Sequence, residues 1–371
     1  MKKFLPLLML LAAVFIASCK SSTDTATTVG QSAHGVDASG NAWMTAPPAG
    51  EGLQIAVEPF DVPAGTEVQG DFYLHLPSDV DFDVDRIEIA MNQGTHHLNI
   101  YRSKIAWPPD SGVARPVVYS HLNGKVDTVN IRYQAEFNAT IIWNESDMLV
   151  EAQIPYLNWQ LPKLATGEQS VVHFGANDTI IAENHFVNID TLVAGGSQST
   201  PNGKGKFIIN LWKSTAASTT RSSMCFARKK SIKILPNSDV TFSKDCNFSP
   251  SDIVRPISVL GMTGHYHSRG KRFWVDKMKG FYDANGNKTG DTLLQANVYQ
   301  SIAWDEPPFT VYDPPVLLNT GEFLRMSAEY VNNSANTFLF GPHVKTDEHF
   351  NLFTWFAPSW HNGQTLYDDN E

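Results

Sequence analysis

Short runs of β-branched and aromatic residues recur along the chain, and turn residues interrupt them before any helical periodicity develops. Runs such as residues 72–76, 149–154 and 323–330 have the composition that is enriched in strands. Segments between them that contain Gly, Asn or Pro, such as residues 283–286, are typical of turns. Short strands in this arrangement favour antiparallel sandwiches. The sequence therefore predicts an all-β fold of two tandem antiparallel β-sandwich domains, jelly-roll-like in type.

The length of the chain fits that division. Its 371 residues are enough for two domains of roughly 150 residues each after an N-terminal extension. A run of small and polar residues at 213–220 marks the boundary. We expect an N-terminal β-sandwich over residues 51–212 and a C-terminal β-sandwich over residues 213–371.

The N-terminal sequence predicts that the protein is localised to the cell envelope. Two lysines precede an apolar run at residues 4–16, which is shorter than the roughly 20 residues that cross a bilayer as a helix. Residues 1–18 are therefore predicted to be a signal peptide. Ala17-Ser18-Cys19 resembles the lipobox of bacterial lipoproteins, in which the cysteine is lipidated. An ordinary cleaved signal with an unrelated cysteine is the alternative.

Residues 19–50 are rich in Ser, Thr, Ala and Gly, with too few large apolar side chains to form a core, and we expect a flexible tether. This interpretation predicts a periplasmic or outer-membrane lipoprotein of a bacterial cell envelope. Its only membrane contact would be the lipid anchor on Cys19. The formal net charge of −10 and the lack of a long basic stretch argue against nucleic acid as a partner.

The two remaining cysteines, Cys225 and Cys246, are predicted to form a disulfide. Two leftover cysteines in an oxidising compartment most simply pair with each other. Residues 231–235 and 240–242 flank a turn-forming segment at 236–239, so we expect the bond to link the ends of a β-hairpin.

Histidines occur in two clusters, one in each half of the chain. In the second cluster, His265 and His267 flank Tyr266. Residues i and i+2 of a strand share a face about 6.5 to 7 Å apart, so both rings can reach one metal ion while the tyrosine faces away. Gly264 and Gly270 permit a close backbone approach or a bend. The alternative is two exposed polar residues on the outer face of a strand.

The first cluster, His96-His97, needs a backbone irregularity. Adjacent residues of a regular strand face opposite sides, so a bulge or strong twist near residues 93–95 must re-aim one ring before both can bind one ion. The alternative is one buried and one exposed histidine. Each cluster has a later histidine as a third candidate, His185 for the first and His349 for the second, with His173 and His343 as reserves. Imidazole is the commonest protein ligand for copper, zinc, iron and nickel, so two metal centres are predicted.

The order of these motifs resembles a known family. His-His, a single His, His-x-His-x-x-Gly and Asp-Glu-x-x-Asn occur in the same order in the copper type II, ascorbate-dependent monooxygenases, the family of the peptidylglycine α-hydroxylating and dopamine β-monooxygenases. The similarity covers residues 69–355 through segments such as GTHHLNIY, ENHFVN, HYHSRGK and DEHFNLF. It implies an enzyme that hydroxylates a C–H bond of a small-molecule substrate with O2. Electrons would come from ascorbate or another one-electron reductant through two copper ions, one per domain.

The resemblance also assigns residues. It makes His96, His97 and His185 the ligands of an electron-transfer copper. It makes His265, His267 and His349 the ligands of the oxygen-binding copper and therefore the catalytic group.

Three positions depart from the family pattern. The family has a methionine where this chain has His349, and a third imidazole is a harder donor that favours Cu(II); Met326 is a possible substitute. Thr263 stands where the peptide-amidating members have an arginine, so peptide C-termini are not the expected substrate. Asn351 and Phe353 are expected at the substrate pocket, with Phe353 in place of a tyrosine.

Two other functions remain open at this point. A copper-binding or copper-storage envelope lipoprotein on the same scaffold needs no catalysis, and the replacement of methionine by His349 is compatible with it. A hydrolytic zinc centre also uses three histidines and an open position. It would need a general base, for which the spacing offers Glu183 and Glu348.

Overall fold

The computed structural model describes residues 32–78, 80–104, 112–134, 146–188, 202–246, 248 and 253–369. All regular secondary structure in these residues is β-strand, so the predicted all-β class is confirmed. The predicted signal peptide and the lipidation site Cys19 lie outside the described residues. Within those residues, no helix is long and apolar enough to cross a membrane.

The first half of the chain forms one large sheet and two short two-stranded sheets. Its strands are β1 (His34–Val36), β2 (Ala42–Met44), β3 (Gly52–Val57), β4 (Phe60–Pro63), β5 (Thr66–His75), β6 (Phe82–Met91), β7 (Thr95–Ser103), β8 (Val113–Ser120), β9 (Val126–Gln134), β10 (Ser146–Ala152), β11 (Tyr156–Gln160), β12 (Gln169–Phe174), β13 (Thr179–Asn188), β14 (Asn202–Gly205), β15 (Phe207–Lys213) and β16 (Thr219–Arg221). The large sheet has the order β10-β7-β13-β5-β9-β8-β3-β15-β6-β12-β16, with β11 also paired to β6. The two-stranded sheets are β1-β2 and β14-β4.

The second half forms a five-stranded and a four-stranded sheet. Its strands are β17 (Ser223–Arg228), β18 (Lys233–Ile234), β19 (Ser238–Cys246), β20 (Ile257–His265), β21 (Gly270–Tyr282), β22 (Lys288–Ser301), β23 (Thr310–Leu318), β24 (Glu322–Asn332), β25 (Phe338–Leu339), β26 (Asn351–Ala357) and β27 (Leu366–Asp368). The sheet orders are β23-β20-β26-β17-β27 and β19-β24-β21-β22. Strand pairs are antiparallel except β12–β16 and β17–β27 among the described strands.

Strand β13 shows how the fold positions polar groups in the interior. It pairs with β5 on one side and β7 on the other, and each of its residues is buried. Half of its ten side chains are apolar, as expected for a strand covered on both faces. Glu183, Asn184 and His185 are the exceptions in the middle of the strand. Because buried polar groups cost free energy unless they are satisfied, their presence here indicates a built polar site.

The two halves share one apolar core. Trp159 of β11 packs against Trp355 of β26 and Phe309, with ring centroids 5.2 and 5.3 Å apart. The indole Nε1 of Trp355 donates a hydrogen bond to the backbone oxygen of Leu149 at 2.7 Å. Residues from Ser32 onward form one compact unit. Among the described residues, paired strands come from the same half only if the halves are divided after β16, because the pairing of β12 with β16 crosses the predicted boundary between residues 212 and 213. The division into two domains stays a prediction.

Residues 32–50, which composition assigned to a flexible tether, are folded. Strands β1 and β2 pair, and Ala42 and Met44 pack against Ala90 and Ile208 of the large sheet. Ser32 donates hydrogen bonds from its backbone nitrogen and its hydroxyl to the buried carboxylate of Glu88. The tether prediction is therefore wrong for this segment. A few apolar side chains and one buried carboxylate hold it, and composition averaged over 30 residues does not detect them.

The predicted hairpin and disulfide are also not found. Strand β18 pairs with β25 and β19 pairs with β24, so the two flanks of residues 236–239 belong to different sheets. Cys225 and Cys246 are free and buried, in the same apolar core. Burial raises the pKa of both thiols, which keeps them protonated at neutral pH.

The shared core predicts a large effect of truncating Trp159, which is fully buried. We expect Trp159→Ala to lower the free energy of unfolding by about 3–5 kcal/mol because it leaves a cavity between the halves. Urea unfolding followed by circular dichroism measures this. Phe281→Ala is the matched control, since Phe281 is 51% exposed, and a surface truncation changes stability by about 0.5 kcal/mol or less. Equal effects of the two variants would contradict a shared core.

Candidate metal centre

All six histidines singled out by the sequence meet in one cluster, which we call the six-histidine cluster: His96, His97, His185, His265, His267 and His349. The ring centroid of His96 lies 5.2 Å from that of His97 and 5.3 Å from that of His185. It lies 5.0 Å from His265 and 5.5 Å from His267, which come from the second half. The sequence predicted two groups of three; the structure brings both groups together.

A β-bulge places His96 and His97 on the same side. In the pairing of β13 with β7, His185 opposes His97 and the next residue, Phe186, opposes Thr95, so His96 is the extra residue. Gly94 precedes the bulge with φ of 94°. A Cβ at Gly94 would lie 2.7 Å from the Phe186 ring. The irregularity expected next to residues 93–95 is therefore present, and it re-aims one ring as required.

His265 and His267 converge as the His-x-His spacing predicted. β20 ends at His265, and the chain then turns before β21 begins at Gly270. Tyr266 faces away into the second-half core, where it stacks on Phe273 with an interplanar angle of 19°. A Cβ at Gly270 would lie 2.1 Å from the Tyr266 ring, so this close approach requires glycine. The third histidine, His349, has its ring centroid 4.9 Å from His265 and 4.4 Å from His267.

In the first half, carboxylates orient the imidazoles. His97 Nε2 donates a hydrogen bond to Glu183 Oε1 at 2.9 Å, and His185 Nε2 donates to Glu67 Oε1 at 2.7 Å. The opposite nitrogens, Nδ1 of both rings, are buried and have no hydrogen-bond partner. A hydrogen bond at one nitrogen fixes the tautomer and leaves the other lone pair available to a metal.

In the second half, neutral oxygens orient the imidazoles. They accept hydrogen bonds from Nδ1 rather than from Nε2. His265 Nδ1 donates to Gln153 Oε1 at 2.6 Å, and His267 Nδ1 donates to the backbone oxygen of Asp347 at 3.1 Å. Nε2 of both rings is buried without a partner. The Gln153 amide nitrogen donates in turn to the backbone oxygen of Gly264 at 2.9 Å. Gln153 belongs to the first half, so this contact orients a second-half ligand from across the interface.

The ionisation of the site follows from burial and these contacts. Burial lowers the pKa of His96 and His265, and the neighbouring histidines lower it further, so both rings are neutral at pH 7. Burial alone would raise the pKa of Glu183. The electrostatic attraction of the His97 ring and hydrogen bonds from His97, Gln69 and Asn99 outweigh that effect and lower the pKa to about 2, so this carboxylate is ionised.

The donor set fits a metal centre. Each of the six rings has one buried nitrogen without a hydrogen-bond partner, and an unpaired buried nitrogen costs free energy that a metal ion would recover. The ligand atoms of His96, His97 and His185 lie within 4.8 Å of one another, and so do those of His96, His265 and His267. Neutral imidazoles suit copper, zinc, iron and nickel.

A cavity of about 310 Å³ adjoins the cluster. The rings of His97, His265 and His349 form part of its wall. The expected pocket residue Phe353 lines it together with Phe226, and these two rings stack with centroids 4.5 Å apart. A small, largely apolar molecule fits such a space beside the metal-facing side chains.

Hydrogen-bond acceptors without partners also face this cavity. Asn99 Oδ1, Asn351 Oδ1 and both carboxyl oxygens of Glu151 are buried and have no hydrogen-bond partner. Burial raises the pKa of Glu151 well above its usual range, and the neighbouring Glu183 raises it further, which favours the protonated acid. The wall is therefore complementary to a ligand, or to waters, that donate hydrogen bonds to the two asparagine oxygens and accept one from the Glu151 acid.

Other candidates from the sequence lie outside the cluster. The reserve ligand His343 is exposed, and His173 is half-buried and pairs with Asp83 at 2.9 Å. Met326 is buried in the second-half core. Glu348 accepts hydrogen bonds from the backbone nitrogens of His267 and Arg269, both at 3.0 Å, so it shapes the His-x-His turn.

Two important residues were not anticipated as partners of the histidines: Glu67 and Gln153. Each acts on a histidine far away in sequence, and no local motif contains both. Glu183 was noticed through its spacing from His185, but its partner is His97 on the neighbouring strand. Only strand pairing reveals these contacts.

No protein-family model and no curated protein matches the chain. Solved structures with some likeness include a T=1 particle derived from infectious bursal virus, with 10% identity over 86% of this chain and 72% of that chain and a TM-score of 0.17. The Sputnik virophage structure has 10% identity over 84% and 87% of the two chains and a TM-score of 0.20. At these TM-scores the likeness defines neither fold nor function. The resemblance to copper monooxygenases stays a prediction.

The contact between Gln153 and His265 predicts an effect on metal affinity. We expect Gln153→Leu to weaken copper binding about 10- to 100-fold because the tautomer and orientation of His265 are no longer fixed. Competition titration with a copper chelator measures this. Gln160→Leu is the matched control, because Gln160 is exposed and donates only to the backbone oxygen of Asp85. Unchanged affinity in the Gln153 variant would contradict the assigned role.

Proposed function

We propose that this protein is a copper-dependent monooxygenase that hydroxylates a C–H bond of a small-molecule substrate with O2 and an ascorbate-type one-electron reductant. The observation that carries the proposal is the six-histidine cluster, whose unpaired nitrogens converge beside a cavity. The order of the histidine motifs, similar to that of the copper type II monooxygenases, supports the choice of copper. Bound copper would supply one-electron chemistry toward O2 and the substrate C–H bond.

The hydrogen-bond partners of the histidines support two different metal positions. His97 and His185 donate to ionised carboxylates, which make an imidazole a stronger donor and favour a higher charge on the metal. His265 and His267 donate to neutral oxygens, which favour a lower charge. The first position is suited to giving up an electron and the second to receiving one; both border the cavity, the first through His97 and the second through His265.

The chain also controls access and orientation. Five of the six rings are at most 6% exposed, so bulk water is excluded around them. The half-buried ring of His349 stands between the cluster and the cavity. Phe226 and Phe353 would hold an apolar part of the substrate, and Asn351 would accept a hydrogen bond from it. Expected attachment to the cell envelope through Cys19 belongs to the same proposal.

The carboxylates suggested by spacing fit a hydrolytic zinc centre less well. Glu183 is engaged by His97, Gln69 and Asn99, and Glu348 by two backbone nitrogens. A general base needs a free oxygen within reach of the attacking water. A non-catalytic copper-storage lipoprotein remains the second candidate, since the third imidazole of His349 favours Cu(II).

Isotope incorporation tests the proposal. We expect the full-length, copper-loaded protein, with ascorbate and ¹⁸O2, to insert ¹⁸O into members of a panel of small apolar compounds that fit the cavity, measured by mass spectrometry. His265→Ala/His267→Ala should abolish the product. The matched control His343→Ala/His361→Ala removes two exposed histidines and should retain it.

Other outcomes identify the alternatives. Tight copper binding without ¹⁸O transfer to any compound would favour the storage protein. Retention of zinc in preference to copper, with hydrolysis of an ester or amide probe, would favour the zinc centre.

A further inference from the structure

We propose that the six histidines hold two metal ions as a single dinuclear centre in which His96 serves both positions. This inference rests on the metal-binding part of the proposed function. It differs from the arrangement expected from the sequence, in which each domain holds one ion with its own three histidines.

The geometry of His96 carries the proposal. Its ligand atom lies within 4.8 Å of those of His97 and His185, and it belongs equally to a second group with His265 and His267. Its ring centroid is 5.0 to 5.5 Å from the centroids of all four rings. His96 is the bulged residue of β7, so the backbone irregularity sets its ring between the two groups.

Sharing one ring limits the distance between the ions. An imidazole nitrogen binds a first-row metal at about 2 Å. To bind both ions, His96 must release its N–H proton to solvent or a buffer base and act as an imidazolate with one nitrogen on each ion, and ions held in this way are separated by roughly 6 Å. Unpaired electrons at that separation interact strongly, so the two sites would not behave as independent magnetic centres.

Contacts between the two groups of histidines that do not involve His96 also support a short distance between the ions. The ring centroids of His97 and His265 are 5.1 Å apart, although these residues come from opposite halves of the chain. The ring of His349 neighbours those of His265 and His267 and lines the cavity, but the compact group of ligand atoms at the second position consists of His96, His265 and His267. The second position thus takes ligands from both halves.

Two carboxylates offset the charge of ions held so close together. Glu183 and Glu67 hydrogen-bond to His97 and His185 at the edge of the cluster. Positive charge in a buried site is costly unless counter-charges are near, and these two groups provide them.

Electron paramagnetic resonance of the full-length protein loaded with Cu(II) tests the inference. We expect two coppers per chain by elemental analysis and an integrated spin intensity well below two, because the spins couple. His96→Ala should weaken binding at both positions by at least about tenfold, since losing a ligand costs more than losing a partner of a ligand. His97→Ala should remove one position and leave the other with one full, uncoupled spin.

Each result has a defined meaning. Two coppers with two full, uncoupled spins would overturn the dinuclear centre and leave the copper enzyme proposal standing. A His96→Ala variant that loses one copper and binds the other with unchanged affinity would likewise overturn the dinuclear centre and leave the copper enzyme proposal standing. One copper or none in the parent protein would overturn both proposals. Circular dichroism of each variant confirms that the fold is retained, and His349→Ala, expected to affect only the second position, serves as a further comparison.

Discussion

The packing of the two halves against each other is the interaction on which the candidate site depends. Trp159 and Trp355 meet in the shared core, and Gln153 reaches across to His265. This packing brings β7 and β13 of the first half to the end of β20 in the second. Without it, His96 and His97 would face solvent rather than His265 and His267. The candidate metal centre therefore lies at the interface between the two halves and depends on their packing.

Without a bound ligand, the six-histidine cluster lowers the stability of the folded chain. One unpaired buried polar atom costs roughly 1–3 kcal/mol, and each of the six rings has one such nitrogen. Their combined cost is comparable with the net stability of a typical domain, about 5–15 kcal/mol. The two large apolar cores, one around Trp159 and Phe207 and one around Phe273, must compensate for it. Coordination of the six nitrogens would turn this cost into binding energy and stabilise the fold.

Local patterns predicted those features that depend on neighbours in sequence. The all-β class followed from strand composition and turns. The convergence of His265 and His267 was predicted from the period of a strand, although the strand ends at His265 and His267 lies in the turn that follows. The bulge at His96 followed from the need to re-aim one of two adjacent rings. The predictions that failed depended on contacts distant in sequence. Residues 32–50 fold because Ser32 reaches Glu88, and Cys225 and Cys246 lie on strands with other partners.

The most direct test of a metal centre in the six-histidine cluster is anomalous diffraction at the copper edge from a crystal of the copper-loaded protein. The account predicts strong anomalous peaks inside the cluster, within bonding distance of the unpaired nitrogens of His97, His185, His265 and His267. Peaks only at exposed histidines such as His343, or no peaks at all, would contradict it.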